Sequence, residues 1–248
     1  RRTMRIAQSL YEGVNLGKGS VGLITYMRTD SKRIANVAKH EASKFIHEEY
    51  GANYAAIKPQ HFKNDADAQD AHEAIRPTSA FRTPASVKEY LTTEEYRLYT
   101  LIWSRFIASQ MTPAVYDTVR ADIEQNDVTF RTTGSKLKFA GFTKVYDNQK
   151  EKNNELPELN EGDKVKLKKT DDREHFTQPP ARYTEASLVR ALEENGVGRP
   201  STYAPTIDTI QKRYYVKLEG RSIVPTELGE IVDKLIEEFF PDIVNVDF

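Results

Sequence analysis

The 248-residue sequence predicts a multidomain α+β protein. Three observations carry this expectation. Over residues 1–112 the apolar residues recur at spacings of three and four, the period of an amphipathic helix. Over residues 113–178 the pattern changes to short alternating runs between polar stretches, the period of half-buried strands. Residues 179–248 return to helical spacing around one short hairpin. The expected organisation is a helical domain at 1–112, a small β-rich segment at 113–178 shaped as a barrel or arch, and a helical, winged-helix-like segment at 179–248.

In chain order, Met4, Ala7, Leu10 and Tyr11 fall on one helical face. The stretch 13–20 contains three glycines and reads as a loop leading into a strand at 22–27. Asp30 or Ser31 is placed to cap a helix whose apolar face is Ile34, Ala38, Phe45 and Ile46, with Gly51 ending it. Thr92 and Glu95 have the spacing of a capping box, and Pro113 stops the helix that follows. In the middle segment, Val119, Ala121 and Ile123 alternate with charged residues. Further short strands are expected at 130–132, 137–139, 142–146 and 164–168, and a long polar loop at 148–162. In the last segment Thr184 caps a helix at 185–194 and Asn195-Gly196 closes it. Ser201 opens a second helix to about residue 211, a hairpin occupies 214–224, and Thr226 caps a last helix with Leu228, Ile231, Leu235, Ile236 and Phe239 on one face. Helix, turn, helix, hairpin is an order that can dock on nucleic acid.

Composition narrows the class. Aromatic residues make up 10% and charged residues 29%, as in a globular chain with a core. There is no cysteine, which excludes disulfides and thiolate metal sites and suits a cytoplasmic protein. No apolar run approaches the roughly 18 residues of a membrane span. The opening Arg1-Arg2-Thr3-Met4 reads like the middle of a protein. The net charge of −1 hides an uneven distribution. Residues 1–112 hold 16 basic and 12 acidic groups, 113–178 hold 12 and 13, and 179–248 hold 8 and 12. Within the last segment, 179–221 has 7 basic against 5 acidic, and 222–248 has 1 against 7. Phosphate contacts are therefore expected on 1–112 and 182–221.

The chemistry is concentrated in Leu23-Ile24-Thr25-Tyr26-Met27-Arg28-Thr29-Asp30-Ser31. A phenol can act as a covalent nucleophile but is protonated at neutral pH and needs help to attack. Arg28 lies two residues on, and in a strand the two side chains share a face. A guanidinium there can clamp a phosphoryl group as charge develops on it. The plain alternative is a buried strand with an ordinary tyrosine and a surface ion pair between Arg28 and Asp30. His72 sits among Asp65, Asp67, Asp70 and Glu73, a set that resembles ligands for a hard cation. Its spacing does not place all five groups on one helical face. Gly17-Lys18-Gly19-Ser20 lacks the glycine spacing of a nucleotide-binding loop. Ser201 and Thr202 lie near a helix N-terminus, which favours phosphate, although Ser201 can equally be a simple cap. Tyr183, Tyr203 and Tyr214 can stack on unpaired bases.

The active-site string, together with Asp67-Ala68-Gln69-Asp70-Ala71-His72-Glu73-Ala74-Ile75-Arg76-Pro77-Thr78, resembles the tyrosine and histidine motifs of bacterial type IA DNA topoisomerases. Tyr183-Thr184-Glu185-Ala186-Ser187-Leu188-Val189 and Gly198-Arg199-Pro200-Ser201-Thr202-Tyr203-Ala204 resemble that family's DNA-binding motif. The strings occur in the family's order and span nearly the whole chain. Met27 and the residues after His72 favour the topoisomerase I branch. The resemblance implies part of a four-domain toroid that cleaves and reseals single-stranded DNA through a 5′-phosphotyrosine and relaxes negative supercoils without ATP. It implies Tyr26 as nucleophile, Arg28 on the scissile phosphate, His72 on the DNA phosphate beside Tyr26, and Arg199, Thr202 and Arg213 as nucleotide contacts, beside Ser201 and Tyr183. It also implies a monomer acting on DNA in the cytoplasm, at the nucleoid. Magnesium is expected on an Asp-x-Asp-x-Glu domain that this sequence lacks, with no metal in this chain, so the chain by itself is expected not to relax DNA. A non-catalytic single-stranded DNA-binding module is the alternative.

Overall fold

The structure, a computed structural model, describes residues 2–28, 31–56, 72–147, 155–242 and 244. The chain divides into two compact units, Arg1–Lys168 and Lys169–Phe248.

In the first unit, helix α1 (Arg2–Glu12) leads into a small hairpin, β1 (Val14–Asn15) and β2 (Ser20–Val21). Helices α2 (Asn36–Tyr50), α3 (Pro84–Val87) and α4 (Thr93–Ser109) follow. Local chemistry sets most ends. Glu95 N–H donates to Thr92 Oγ1 at 3.3 Å, and Thr92 N–H donates to Glu95 Oε2 at 3.0 Å, which closes the expected capping box. The other oxygen of Glu95 accepts from Ser9 Oγ at 2.6 Å, so the same residue pins α1 to α4. Gly51, at φ +99, ends α2 with its N–H on His47 O.

The core between these helices contains Leu10, Leu23, Ile24, Phe45, Ile46, Tyr99, Trp103, Phe106, Ile107 and Met111. Burying each large side chain contributes about 1.5–3 kcal/mol. The polar atoms it carries inside are satisfied: Tyr99 Oη donates to Arg82 O at 2.7 Å and Trp103 Nε1 to Ala80 O at 2.9 Å. Phe45 meets Trp103 and Phe81 edge-on, at 5.5 and 5.4 Å between centroids.

The two-stranded ribbon of β3 (Val115–Gln125) and β4 (Val128–Phe139) follows, paired in antiparallel register from Gln125↔Val128 to Val115↔Phe139. One face carries Val119, Ala121, Ile123, Phe130 and Thr132 through the pairs Ala121↔Thr132 and Ile123↔Phe130. The other carries Asp122 opposite Arg131, joined by two hydrogen bonds of 2.7 and 3.0 Å. At its root, Phe142 N–H donates to Thr112 O at 2.9 Å and the Tyr54 and Phe139 rings lie 4.7 Å apart. Gly141 is obligatory there: at φ +49, a Cβ would sit 2.3 Å from the Pro113 carbonyl oxygen.

The second unit holds α5 (Glu185–Glu194), α6 (Pro200–Lys212), the hairpin β5 (Val216–Glu219) and β6 (Ser222–Pro225), and α7 (Glu227–Phe239). Thr184 and Thr226 cap α5 and α7 as expected, accepting from Ser187 N–H at 3.2 Å and Gly229 N–H at 3.1 Å. Among the described residues of this unit, only Ile207 and Ile223 are fully buried hydrophobics.

Several expectations are corrected. Residues 22–27 form no strand; Ile24 alone makes a bridge, to Pro77. Ser31 does not cap α2, which begins at Asn36 behind Ala35 with no side-chain cap, and Asp30 lies outside the described residues. Met4 and Tyr11 are exposed while Ala7 and Leu10 are buried, so α1 buries a narrower stripe than its sequence suggests. The 142–146 strand is a short 3-10 turn, Gly141–Lys144, because Phe142 and Val145 bond locally. No strand forms at 164–168, where no described strand pairs with it. Part of the expected 148–162 loop lies outside the described residues. The second helix of the last unit opens at Pro200 with Arg199 at its N-cap, one residue ahead of Ser201. The apolar face of α7 is exposed along Leu228, Ile231, Leu235, Ile236 and Phe239.

Candidate active site

Tyr26 is set by a seam between two stretches about fifty residues apart. Thr78 N–H donates to Leu23 O and Thr25 N–H to Arg76 O, both at 2.9 Å, flanking the Ile24↔Pro77 bridge. Thr78 Oγ1 donates to Gly22 O at 2.7 Å. On the far side of Tyr26, Ser31 Oγ donates to His72 O and Ala74 N–H to Arg33 O, each at 2.7 Å. The floor beneath is apolar, with Leu23 and Ile24 completely buried. Gly22 is needed for the approach to α1, since a Cβ would lie 2.7 Å from Tyr11 O.

From this floor the Tyr26 side chain rises to 48% exposure. Its ring lies 5.8 Å from the His72 ring, tilted by 40°, and meets Tyr11 edge-on at 5.3 Å and 66°. His72 Nδ1 is buried and has no hydrogen-bond partner among the described residues. A buried polar atom left unpaired costs about 1–3 kcal/mol, and a ligand that bonds to it recovers that cost. Arg28 is half-buried, and its N–H donates to Tyr26 O at 2.9 Å. The chain therefore turns between the two residues, and the strand geometry expected to place both side chains on one face does not apply.

Glu73, read from sequence among possible metal ligands, is engaged by Arg76. The guanidinium Nε donates to Glu73 Oε2 at 2.9 Å and Nη2 to the same oxygen at 2.5 Å. Asp65, Asp67 and Asp70 lie outside the described residues. Among the described residues no three His, Asp or Glu side chains converge on a possible metal position. Tyr11 was legible only as part of a helical face, because its contact with Tyr26 crosses the intervening hairpin.

In the second unit, Arg199 N–H donates to Thr202 Oγ1 at 2.9 Å, and that hydroxyl donates to Arg199 O at 3.0 Å. Thr202 thus fastens the first turn of α6. Gly198, at φ +80, leaves room for it: a Cβ would lie 3.0 Å from Thr202 Oγ1. Arg199, Ser201 and Thr202 are exposed in that turn, and Arg213 caps the far end of α6. Tyr183 and Tyr214 are 54% and 75% exposed. Tyr214 adopts φ +57, a left-handed conformation that a tyrosine rarely takes. No described helix is long and apolar enough to cross a membrane.

Comparisons with known proteins agree with one another. A family model described as DNA topoisomerase matches residues 1–248. The structure is similar to that of full-length topoisomerase I from Thermotoga maritima, with a TM-score of 0.85 and 41% sequence identity over 99% of this chain. The match covers 40% of the Thermotoga chain. With a family match along its whole length and a fold shared at that identity, the chain belongs to the bacterial type IA DNA topoisomerases, a family of isomerases.

Proposed function

We propose that this chain carries the cleavage and resealing centre of a type IA DNA topoisomerase, with Tyr26 as the nucleophile. The observation that carries this reading is the half-exposed Tyr26 ring held beside His72, whose buried Nδ1 has no partner among the described residues. The Tyr26 oxygen attacks the phosphorus of a single DNA strand. The phenol gives up its proton, the Oη–P bond forms as the P–O3′ bond breaks, and the leaving 3′ oxygen takes up a proton, so the exchange is proton-neutral. The product is a 5′-phosphotyrosine with a free 3′ hydroxyl. Reversal restores the strand, and because one phosphodiester has been exchanged for another, no ATP is consumed. Arg28 stabilises charge developing on the phosphate, and His72 bonds to a phosphate oxygen. Arg199, Ser201, Thr202 and Arg213 hold the backbone of the single strand, with Tyr183 against a base.

The intact enzyme is a monomer that relaxes negatively supercoiled DNA in the cytoplasm, at the nucleoid. Residues 1–112, 113–178 and 179–248 are its tyrosine domain, part of its arch and part of its base within a ring. Magnesium belongs to a part of the enzyme outside this chain, and this chain alone does not relax DNA. The test is a covalent-adduct assay with labelled single-stranded DNA, using this chain supplemented with the magnesium-binding part of its enzyme. The expected result is a denaturation-resistant adduct that disappears in Tyr26→Phe while DNA binding persists. An adduct that survives the substitution assigns the nucleophile elsewhere. No adduct with any combination, alongside intact binding, favours the non-catalytic binding module.

A further inference from the structure

We infer that the Thr25 hydroxyl is a positioning group for Tyr26: it ends the backbone pairing one residue before the tyrosine and turns the tyrosine outward. This rests on the reading of Tyr26 as the nucleophile. The pairing around Ile24 and Pro77 begins an antiparallel ladder, with Thr78 N–H on Leu23 O and Thr25 N–H on Arg76 O, while Leu23 N–H turns away to Leu10 O. In such a ladder Thr25 and Arg76 exchange both of their backbone bonds, so Arg76 N–H would go to the Thr25 carbonyl. It goes instead to Thr25 Oγ1, at 3.0 Å. The same hydroxyl donates its proton to Ala74 O at 2.7 Å.

One side chain thus occupies the Arg76 N–H of this rung and the Ala74 carbonyl that the following hydrogen-bonded rung, Met27 with Ala74, would use. The Thr25 carbonyl is released from the ladder, and the chain turns at once, as Arg28 N–H bonding to Tyr26 O at 2.9 Å records. Because Ala74 and Arg76 lie on the stretch that carries His72, the hydroxyl also fixes Tyr26 relative to that ring, 5.8 Å away. Serine keeps the donor and acceptor. Valine keeps the shape and loses both, leaving Arg76 N–H without its hydroxyl acceptor.

Two measurements test this. The first is amide hydrogen exchange of Arg76 in this chain. Protection is expected in wild type and Thr25→Ser, and faster exchange in Thr25→Val. The second is the rate of adduct formation and the affinity for single-stranded DNA, both measured in the full-length enzyme containing this chain. Misplacing a reacting group by about 1 Å can cost ~10²-fold, so Thr25→Val is expected to form adduct about 10- to 100-fold more slowly at unchanged affinity. Thr25→Ser is expected to stay within about threefold of wild type. The serine variant does not depend on the valine variant folding: if it loses as much rate as valine, the hydroxyl is not the positioning group. Equal rates in wild type and Thr25→Val overturn this proposal alone. A wild-type enzyme with no adduct at all overturns the nucleophile reading and this proposal with it.

Discussion

Tyr26 stands on a floor of completely buried residues, Leu23 and Ile24, and is tied on both sides by hydrogen bonds to a distant stretch. Arg199 stands on almost nothing. Its helix buries Ile207, the hairpin beside it buries Ile223, and its turn is shaped by local hydrogen bonds between Arg199 and Thr202 and from Tyr203 N–H to Arg199 O. The contrast fits the two tasks proposed for these residues. Making and breaking a bond needs reacting atoms aligned to a fraction of an ångström, and only a packed support supplies that. Holding a flexible polymer needs charge and exposed rings, which a thin unit displays at lower cost in order.

The largest expected effect tests the floor. Phe45→Ala removes a ring packed between Trp103 and Phe81 and is expected to cost the first unit about 3–5 kcal/mol, read by chemical denaturation. A change under about 1 kcal/mol would show that the floor is looser than its packing suggests. Next, His72→Ala is expected to slow adduct formation by about 10²-fold with little change in the melting temperature. Equal losses in rate and DNA affinity would make His72 a simple binding contact. In the second unit, Arg199→Ala and Arg213→Ala are each expected to weaken single-strand binding and to reduce the log–log salt slope by roughly 0.7. Salt titration of binding checks this, and unchanged slopes for both remove α6 from the DNA path.

Smaller effects sharpen the same contrast. Tyr214→Gly relieves a left-handed tyrosine and is expected to stabilise the second unit by about 0.5–1 kcal/mol while lowering affinity for single-stranded DNA. Thermal melts and binding measured on one sample separate the two effects. The smallest concerns Glu95, whose carboxyl is held below its ordinary value of 4.5, chiefly by the Ser9 hydroxyl and further by Thr92. A carboxyl lowered in the folded state stabilises the fold above its unfolded value, and that contribution is lost as pH falls through the folded value. The pinning of α1 to α4 should therefore weaken only below about pH 4.5. Glu95→Gln should flatten this part of the stability profile.

The helix caps were legible because their partners are three residues away: Thr92 with Glu95, Thr184 with Ser187, Thr226 with Gly229. The seam was not. Ser31 looks like a cap in sequence, but its hydroxyl is taken by His72 O, forty-one residues on. Residues 22–27 read as a buried strand, yet their pairing stops at a side chain whose partners, Ala74 and Arg76, no local pattern reveals. The motif singled out Tyr26 and His72. Only the fold brings their rings together, and only the fold adds Tyr11.

The β3–β4 ribbon carries a mechanical consequence. At about 3.4 Å per residue its 11-residue strand extends ~35 Å, while its root is locked by the Gly141–Pro113 close approach, the Phe142–Thr112 hydrogen bond and the Tyr54–Phe139 ring contact. A two-stranded ribbon twists easily along its length, whereas its root is held at these three points. Force applied at the Asn126 tip is therefore delivered as torque to Thr112, directly behind the end of α4, and to Tyr54 behind α2. These are the two long helices whose side chains pack the floor beneath Tyr26. A pull on the ribbon thus reaches the foundation of the tyrosine's support before it reaches the tyrosine.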